Sequence, residues 1–237
     1  MMQLKKRTFL ITGAGHRLGF HFAKALLRQG ATVIAHYNTD CQELQAWLHK
    51  EVKYSEQVIF CQANLRTELS KIEQIFKDQS ETLSGVVNSA ALFEQGDISD
   101  TVAFEYQLEL NTLVPTRLAA LFSRYCHEGA VLNIIDGNIR TLNKNFQSYR
   151  ISKLFLEELT RQMAFLYAPK LRVNALSPGT VIPPKGGEDT SFELARKRAP
   201  LKRTPSLESI VETALFLLQN ESITGEIVAV DGGVHIL

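Results

Sequence analysis

The sequence has few of the residues that place a chain in a special class of protein. Only three cysteines occur among its 237 residues, at Cys41, Cys61 and Cys126, and no two of them form a CxxC pair. This wide spacing argues against a disulfide framework and against a cysteine zinc site, and it suits a reducing compartment. We therefore expect a cytoplasmic protein that has no metal centre.

The chain also lacks an excess of charge and a long apolar run. Its 26 basic and 25 acidic residues leave a formal net charge of +1, so no strong field points to nucleic acid or to a membrane. No apolar run approaches the roughly 18 residues that span a bilayer. The basic and apolar stretch 5–12 leads directly into a glycine-rich turn, so we do not interpret it as a signal peptide.

Strand patterns and helix patterns alternate along the whole chain. Apolar runs of strand character occur at 8–12, 31–37, 58–61, 85–88, 131–135, 171–176 and 227–230. Alternation of this kind predicts a doubly wound α/β fold, in which about seven strands form a parallel sheet with helices on both faces. No linker or internal repeat interrupts the pattern, so we expect one domain over residues 1–237. The Pro-, Gly- and charge-rich stretch 180–206 is interpreted as a mobile flap over the site.

A glycine-rich turn, residues 13–19, follows the first strand and opens a helix that runs to about Gln29. Glycines let the backbone approach a pyrophosphate, and the helix N-terminus offers N–H groups to the phosphates. The alternative is a plain turn whose glycines serve packing only. After the second strand no acid follows directly, and Arg17 lies in the adjacent turn, which favours NADP(H) over NAD. Asp40 is the counter-evidence, unless it caps the next helix.

The stretch 132–153 carries the candidate chemistry. It passes from a strand end at Asp136 to a helix with Tyr149 and Lys153, whose i, i+4 spacing places both side chains on one face. A lysine ammonium beside a phenol lowers the pKa of the tyrosine, and such a tyrosine can exchange a proton with a carbonyl or an imine. The alternative is a surface pair, because YxxxK often arises by chance. The helix that follows is apolar on more than one side, which suggests a subunit contact.

Taken together, these motifs resemble those of the short-chain dehydrogenase/reductase family over essentially the whole chain. The matching segments are Thr12-Gly13…Gly19, Asn88-Ser89-Ala90, Asn111, Tyr149…Lys153, Ser177-Pro178-Gly179, Ala199–Arg203 and Asp231-Gly232-Gly233. The resemblance implies a Rossmann-like domain, a homotetramer, Tyr149 as proton donor, Lys153 on the nicotinamide ribose and Asn111 holding a water of the proton relay. It also implies a cofactor site formed by Gly13, His16, Arg17, Leu18, Gly19, His36, Tyr37, Asn38, Asn64, Leu65, Asn88, Ser89, Ala90, Tyr149, Lys153, Pro178 and Gly179.

Two departures from the family pattern resemble its pteridine reductase branch, which includes dihydromonapterin-reductase-like proteins. Arg17 replaces the family's middle glycine, and Asp136 replaces its catalytic serine, 13 residues before the tyrosine. In that branch the arginine reaches cofactor phosphate and substrate, and the aspartate works with the tyrosine in proton delivery. Phe93 would stack the pterin against the nicotinamide. The resemblance therefore implies NADPH-dependent reduction of a C=N bond in a dihydropterin or dihydrofolate, with substrate contacts at Arg17, Phe93, Asp136 and Tyr149.

Other positions depart from that branch. Thr39-Asp40 stand in place of a basic residue, Ala91 in place of a serine that contacts the pterin, and Asn64 in place of an aspartate near the adenine. Asn64 could bind the adenine amino group or could be a turn asparagine. The alternative functions are a carbonyl reductase acting on a 3-oxoacyl thioester or a small ketone, and a dinucleotide-binding regulator without turnover. Asp136 argues against the first, because ketone reduction wants a neutral hydroxyl there.

Overall fold

A single parallel sheet forms the centre of the computed structural model, which describes residues 1–182 and 190–237. The strands are β1 (Thr8–Thr12), β2 (Thr32–Tyr37), β3 (Val58–Gln62), β4 (Leu83–Asn88), β5 (Gly129–Ile134), β6 (Leu171–Pro178) and β7 (Ile227–Val230). Their order across the sheet is β3-β2-β1-β4-β5-β6-β7, and all neighbouring strands pair in parallel. The predicted doubly wound sheet of about seven strands is confirmed.

Helices connect the strands and cover both faces of the sheet. They are α1 (Arg17–Arg28), α2 (Gln42–Lys50), α3 (Leu69–Asp78), α4 (Thr101–Leu108), α5 (Val114–Tyr125), α6 (Gln147–Tyr167), α7 (Thr190–Arg198) and α8 (Leu207–Gln219). A π-helix, Glu109–Leu113, joins α4 to α5, and short 3₁₀ helices occur at Val52–Gln57 and Val234–Ile236. Residues 101–125 therefore do not form one continuous α-helix, because this wide turn interrupts it. No helix in the described ranges is long and apolar enough to cross a membrane.

The core consists of two apolar layers, one on each side of the sheet. Successive side chains of β1 alternate between them, so Phe9 packs in the layer with α1 and α8, whereas Leu10 packs in the layer with α3 and α5. Because both faces are covered, strand residues of either parity are buried, as in β1 and β4. This explains why the strands are near-continuous apolar runs instead of alternating patterns.

The order of the strands reverses between β1 and β4, which are neighbours in the sheet but not in sequence. The connections after these two strands leave in opposite directions, so a crevice opens at their carboxyl ends. The glycine turn after β1 and the segment 89–100 after β4 form its two sides. The predicted flap at 180–206 is untested in part, because residues 183–189 lie outside the described ranges. From Thr190 the chain forms α7, and Ser206 caps α8 through a hydrogen bond from the Ser209 N–H.

Candidate active site

A cleft of about 1280 Å³ lies where the sheet order reverses. It brings together most of the predicted site residues, namely Gly13, His16, Arg17, Leu18, Gly19, His36, Tyr37, Asn38, Asn64, Leu65, Ser89, Ala90, Phe93, Asp136, Tyr149, Lys153, Pro178 and Gly179. Asn88 and Asn111 do not line it. The Asn88 amide is buried in the sheet, where its Nδ2 donates to Asn133 Oδ1 at 2.8 Å. The structure therefore places Asn88 behind the site instead of in contact with a cofactor.

The glycine turn leaves no room for side chains on its inner side. Gly13 has a φ of +69°, and a Cβ there would lie 3.1 Å from Ala90 Cα. A Cβ on Gly19 would overlap the Gly13 carbonyl group, whose carbon would be 2.7 Å away. The backbone N–H groups that begin α1 are thus exposed to a ligand at close range, as a pyrophosphate requires. The residues fit a dinucleotide at this point.

Arg17 occupies a backbone conformation that glycine would adopt more easily. Its φ is +53°, in the left-handed region. This explains why the family pattern has glycine at the position, and it means that the arginine is retained at a cost in backbone strain. Its Nη2 donates to the carbonyl oxygen of Ile182 at 3.2 Å. Arg17 therefore links the phosphate turn to the segment that follows β6.

His36 supports the turn from below. The Gly13 N–H donates to its Nδ1 at 3.2 Å, and its Nε2 bonds to the carbonyl oxygen of Ala63 at 2.9 Å. Burial lowers the pKa of His36, so the ring is neutral, with the proton on Nε2. Although His36 lines the cleft, the fold occupies both of its nitrogens. The residue joins β1, β2 and β3 and does not offer a free polar atom to a cofactor.

The adenosine end of the cleft has two polar residues whose side chains form turns. Asp40 Oδ1 accepts a hydrogen bond from the Gln42 N–H at 3.4 Å, near the start of α2. This agrees with the alternative in which Asp40 serves the start of the helix instead of binding a ribose. Asn64 Oδ1 accepts from the Arg66 N–H at 3.0 Å, which is the turn geometry that competed with adenine binding. The structure thus shows Asn64 as a turn asparagine that also lines the cleft.

Asp136 and Tyr149 meet at the catalytic end. The Tyr149 hydroxyl donates to Asp136 Oδ2 at 3.1 Å, and the Asn138 N–H donates to Asp136 Oδ1 at 2.7 Å. Burial raises the pKa of Tyr149 well above its usual value, and the adjacent carboxylate adds to this effect. Burial also raises the pKa of Asp136, against the opposing hydrogen bonds from Asn138 and Tyr149. Tyr149 therefore keeps its proton, and its hydroxyl is directed at the Asp136 carboxyl group.

Lys153 lies beneath this pair but does not act on it as predicted. Its Nζ donates to the carbonyl oxygen of Ile134 at 2.7 Å, and burial lowers its pKa to about 8. The expectation that Lys153 lowers the pKa of Tyr149 is wrong for this structure. The loss of solvation around the buried phenol and the charge of Asp136 dominate, and both raise that pKa.

Asn111 lies in the π-helix and is fully buried. Its Oδ1 accepts from the Leu92 N–H at 2.8 Å, and its Nδ2 donates to Leu92 O at 2.9 Å and to Ser152 Oγ at 3.0 Å. Both amide hydrogens are therefore used by the fold, so a water could be held by the side chain only through Oδ1. The relay water stays a prediction. The two hydrogen bonds between Asn111 and Leu92 form a clamp, which fixes the segment that carries Phe93.

Phe93 lies on that segment, with 54% of its surface exposed. One face of its ring stacks on Phe146, with centroids 4.6 Å apart and planes 5° apart, and its ring meets Tyr149 edge to face at 4.7 Å. More than half of the ring surface is exposed, which leaves room for a flat ligand. Sequence reasoning missed Phe146, although its position three residues before Tyr149 places it on the same helical face. Arg198, on α7, also lines the cleft and donates to Thr141 Oγ1.

The site can now be compared with known proteins. Residues 13–235 match the family model described as enoyl-(acyl carrier protein) reductase. The match spans most of the chain, so the protein belongs to the short-chain dehydrogenase/reductase family, a family of oxidoreductases. The predicted family is confirmed. Family membership leaves the substrate open, because the residues that differ between branches lie in the cleft.

Individual relatives are more specific. The chain is 24% identical over 243 residues to the dihydromonapterin reductase of Klebsiella pneumoniae, with 98% of each protein covered. It is 30% identical over 244 residues to the L-xylulose reductase of Bos taurus, again with 98% of each covered. Among solved structures, the FolM alternative dihydrofolate reductase 1 of Brucella canis, complexed with NADP, has a TM-score of 0.89 and 29% identity, covering 99% of this chain and 96% of the other. The same protein of Brucella suis gives 0.88 and 29%, with 100% and 97% covered.

Proposed function

We propose that this protein is an NADPH-dependent reductase of a C=N bond in a dihydropterin or a dihydrofolate. The observation that carries the proposal is the hydrogen bond between Tyr149 and Asp136, 3.1 Å long, beside the half-exposed ring of Phe93. The relatives named dihydromonapterin reductase and FolM alternative dihydrofolate reductase support the same substrate class. The NADP in the two FolM structures supports the cofactor.

The cofactor would be held along the cleft from the glycine turn to Lys153. The glycine turn and the first N–H groups of α1 suit the pyrophosphate, and Arg17 supplies positive charge beside it. Lys153 would bind the nicotinamide ribose. When bound, the nicotinamide supplies the hydride. The chain itself orients the substrate and delivers the proton.

Proton delivery falls to Asp136 and Tyr149. Reduction of a C=N bond adds a hydride to carbon and a proton to nitrogen. Burial raises the pKa of both groups, and their hydrogen bond forms a route along which a proton can pass to a ring nitrogen. The exposed ring of Phe93 would hold the flat ring in place for that transfer.

A carbonyl reductase is the second candidate, and the 30% identity to the L-xylulose reductase favours it. Asp136 weighs against it. A serine hydroxyl at this position would donate to the alkoxide that develops when a ketone is reduced, whereas a carboxyl group would repel that alkoxide whenever it is ionised.

A substrate panel tests the proposal. Dihydromonapterin, dihydrofolate, L-xylulose and a 3-oxoacyl thioester would each be assayed with NADPH and with NADH. We expect the wild-type protein to reduce the dihydropterin or the dihydrofolate with NADPH. Asp136→Ala should lose most of this activity and still bind the cofactor. Asp136→Ser should not restore the activity. Reduction of L-xylulose or the thioester without any dihydropterin activity would replace the proposal with the second candidate. Equal or better use of NADH would overturn the cofactor assignment and point to Asp40.

We also propose a cytoplasmic homotetramer. The proposal is supported by the apolar residues that α6 leaves uncovered, of which Phe165 is 87% exposed, together with Phe155 and Leu166. Large apolar side chains grouped on one helix are typical of a protein–protein interface. The three described cysteines are buried and free, which is compatible with a reducing compartment. Light scattering at micromolar concentration would refute the assembly if it gave the mass of a monomer.

A further inference from the structure

Arg150, which follows Tyr149 on α6, is a buried cation that lines the cleft. It is 9% exposed, and its Nε is buried without a hydrogen-bond partner. No hydrogen bond, ion pair or ring contact ties its guanidinium to any residue in the ranges 1–182 and 190–237. A buried charge is normally paired, because removal from water without a partner is costly. An unpaired one that borders a cleft therefore needs an explanation.

The other cations of the cleft, within the part of the chain that the structure describes, are held by the protein itself. Arg17 donates to Ile182 O, Arg66 to Glu109, Lys153 to Ile134 O and Arg198 to Thr141 Oγ1. The cleft also has acidic groups, but Asp136 is occupied by Tyr149 and Asn138. Glu94 lines the cleft and forms no ion pair with Arg150 in the described ranges. Arg150 thus differs from its neighbours in lacking a protein partner.

Its position places it beside the substrate end of the cleft. Arg150 lies one helical turn after Phe146, and its N–H donates to Phe146 O at 3.0 Å. Residues one turn apart share a helix face, so Arg150 and Phe146 lie on the same side of the start of α6, and both line the cleft. Apart from Asp136, which is hydrogen-bonded to Tyr149 and Asn138, the cleft residues of the β5–α6 connection are uncharged, including Asn138, Thr141 and Asn143. An anionic group next to the stacked ring would meet one unpaired guanidinium there.

We propose that Arg150 binds an anionic group, a carboxylate or a phosphate, on the side chain of the substrate. The inference rests on the proposed function, because it takes the flat ring to lie on Phe93. A dihydropterin ring is uncharged near neutral pH, so the anion belongs to its substituent. The candidates are the carboxylates of a glutamate tail and a phosphate ester on a hydroxyalkyl chain. A guanidinium fork matches either group with two parallel hydrogen bonds.

The test measures binding to the NADPH-loaded protein by calorimetry. The ligands are dihydrofolate, a dihydropterin phosphate monoester and an uncharged dihydropterin. We expect Arg150→Met to weaken binding of one anionic ligand about 10- to 100-fold, the scale of hydrogen bonds to charged groups, with little change for the uncharged ligand. Arg150→Lys should recover part of the loss. The ligand that responds identifies the anion as carboxylate or phosphate.

Arg140→Met is the matched control. Arg140 is also an arginine near α6, but it is 59% exposed and paired with Glu157, so its removal should leave all three affinities unchanged. Because Arg150→Met could lower stability, competition by inorganic phosphate on the wild-type protein provides a second measurement. Phosphate should displace the anionic ligand and not the uncharged one.

Two results would overturn the inference. One is an equal loss for charged and uncharged ligands in Arg150→Met, which would mean a structural role. The other is no selective loss in Arg150→Met together with no competition by phosphate. The proposed function fails separately: binding of the anionic ligand that depends on Arg150, without any turnover in the wild-type protein, would leave the Arg150 site in place and remove the reductase activity.

Discussion

The two halves of the cleft are built by different means. The half at the ends of β1, β2 and β3 is made of backbone, with a glycine turn whose packing excludes a Cβ and a neutral His36 beneath it. The half at the ends of β4, β5 and β6 is made of polar side chains, the buried Tyr149 and Lys153 and the partly buried Asp136, each fixed by a hydrogen bond. The first half is therefore damaged by added atoms, and the second by removal of a single polar group.

Tyr149→Phe is the strongest test of the polar half. It removes one hydroxyl and keeps the ring, so we expect kcat to fall about 10²- to 10⁴-fold, the usual scale for general acid–base catalysis, with little change in the free energy of unfolding. Tyr125→Phe is the control, since that hydroxyl bonds to Glu73 on the surface, at 2.9 Å. A Tyr149→Phe protein with nearly full turnover would contradict the mechanism.

Gly19→Ala tests the backbone half. The new methyl group would overlap the Gly13 carbonyl, and overpacking of this kind costs about 1–3 kcal/mol or more. We expect a lower free energy of unfolding in urea and weaker NADPH binding by fluorescence titration. Gly96→Ala is the matched control, because a Cβ there would lie 3.3 Å from the end of the flexible Gln107 side chain. If both variants lost the same stability and the same affinity for NADPH, the glycine turn would not be more sensitive to added atoms than the rest of the cleft.

The lowered pKa of Lys153 predicts that the activity of the polar half depends on pH. Burial lowers its pKa to about 8 from 10.5, so kcat/KM should decline above pH 8, approaching tenfold for each further pH unit. Stability should move the other way. Between those pH values the unfolded chain binds more protons at this position, so this group raises the free energy of unfolding as pH increases. A parallel fall of activity and melting temperature would assign the loss to unfolding instead.

The smallest effect is expected at His36. Glutamine at this position can still accept and donate, so His36→Gln should cost about 1 kcal/mol near pH 7. The pKa of His36 is lowered in the fold, so its contribution to stability is lost as pH falls below the unfolded value of 6.5. The free energy of unfolding, measured in urea at a series of pH values, should therefore fall less steeply below pH 6.5 in His36→Gln than in the wild-type protein. The substitution of the exposed His49 by Gln should leave this slope unchanged. An unchanged slope in His36→Gln would show that His36 does not titrate in this pH range.

The sequence predicted the parts that depend on local patterns. Apolar runs predicted the seven strands of the described sheet, and most of the site residues predicted from family motifs line the cleft. His36 shows the limit of such reasoning: both faces of β2 are buried, so strand alternation could not tell whether its ring faces a ligand or the interior. The pKa of Tyr149 was predicted in the wrong direction because spacing reveals that Lys153 is near, but not that the phenol is buried beside Asp136. Arg150 left no signal, since its feature is the lack of a partner among the described residues.

The π-helix at Glu109–Leu113 has a consequence for how this gene tolerates length changes. A wide turn contains one more residue than an ordinary turn, so α4 and α5 are out of phase by one position. Removal of a single codon there would restore an uninterrupted α-helix and rotate one side of it by about 100° relative to the other. Asn111 would then no longer face Leu92, and the segment bearing Phe93 would lose its clamp. We expect the π-helix to tolerate substitutions far more readily than the deletion of one residue.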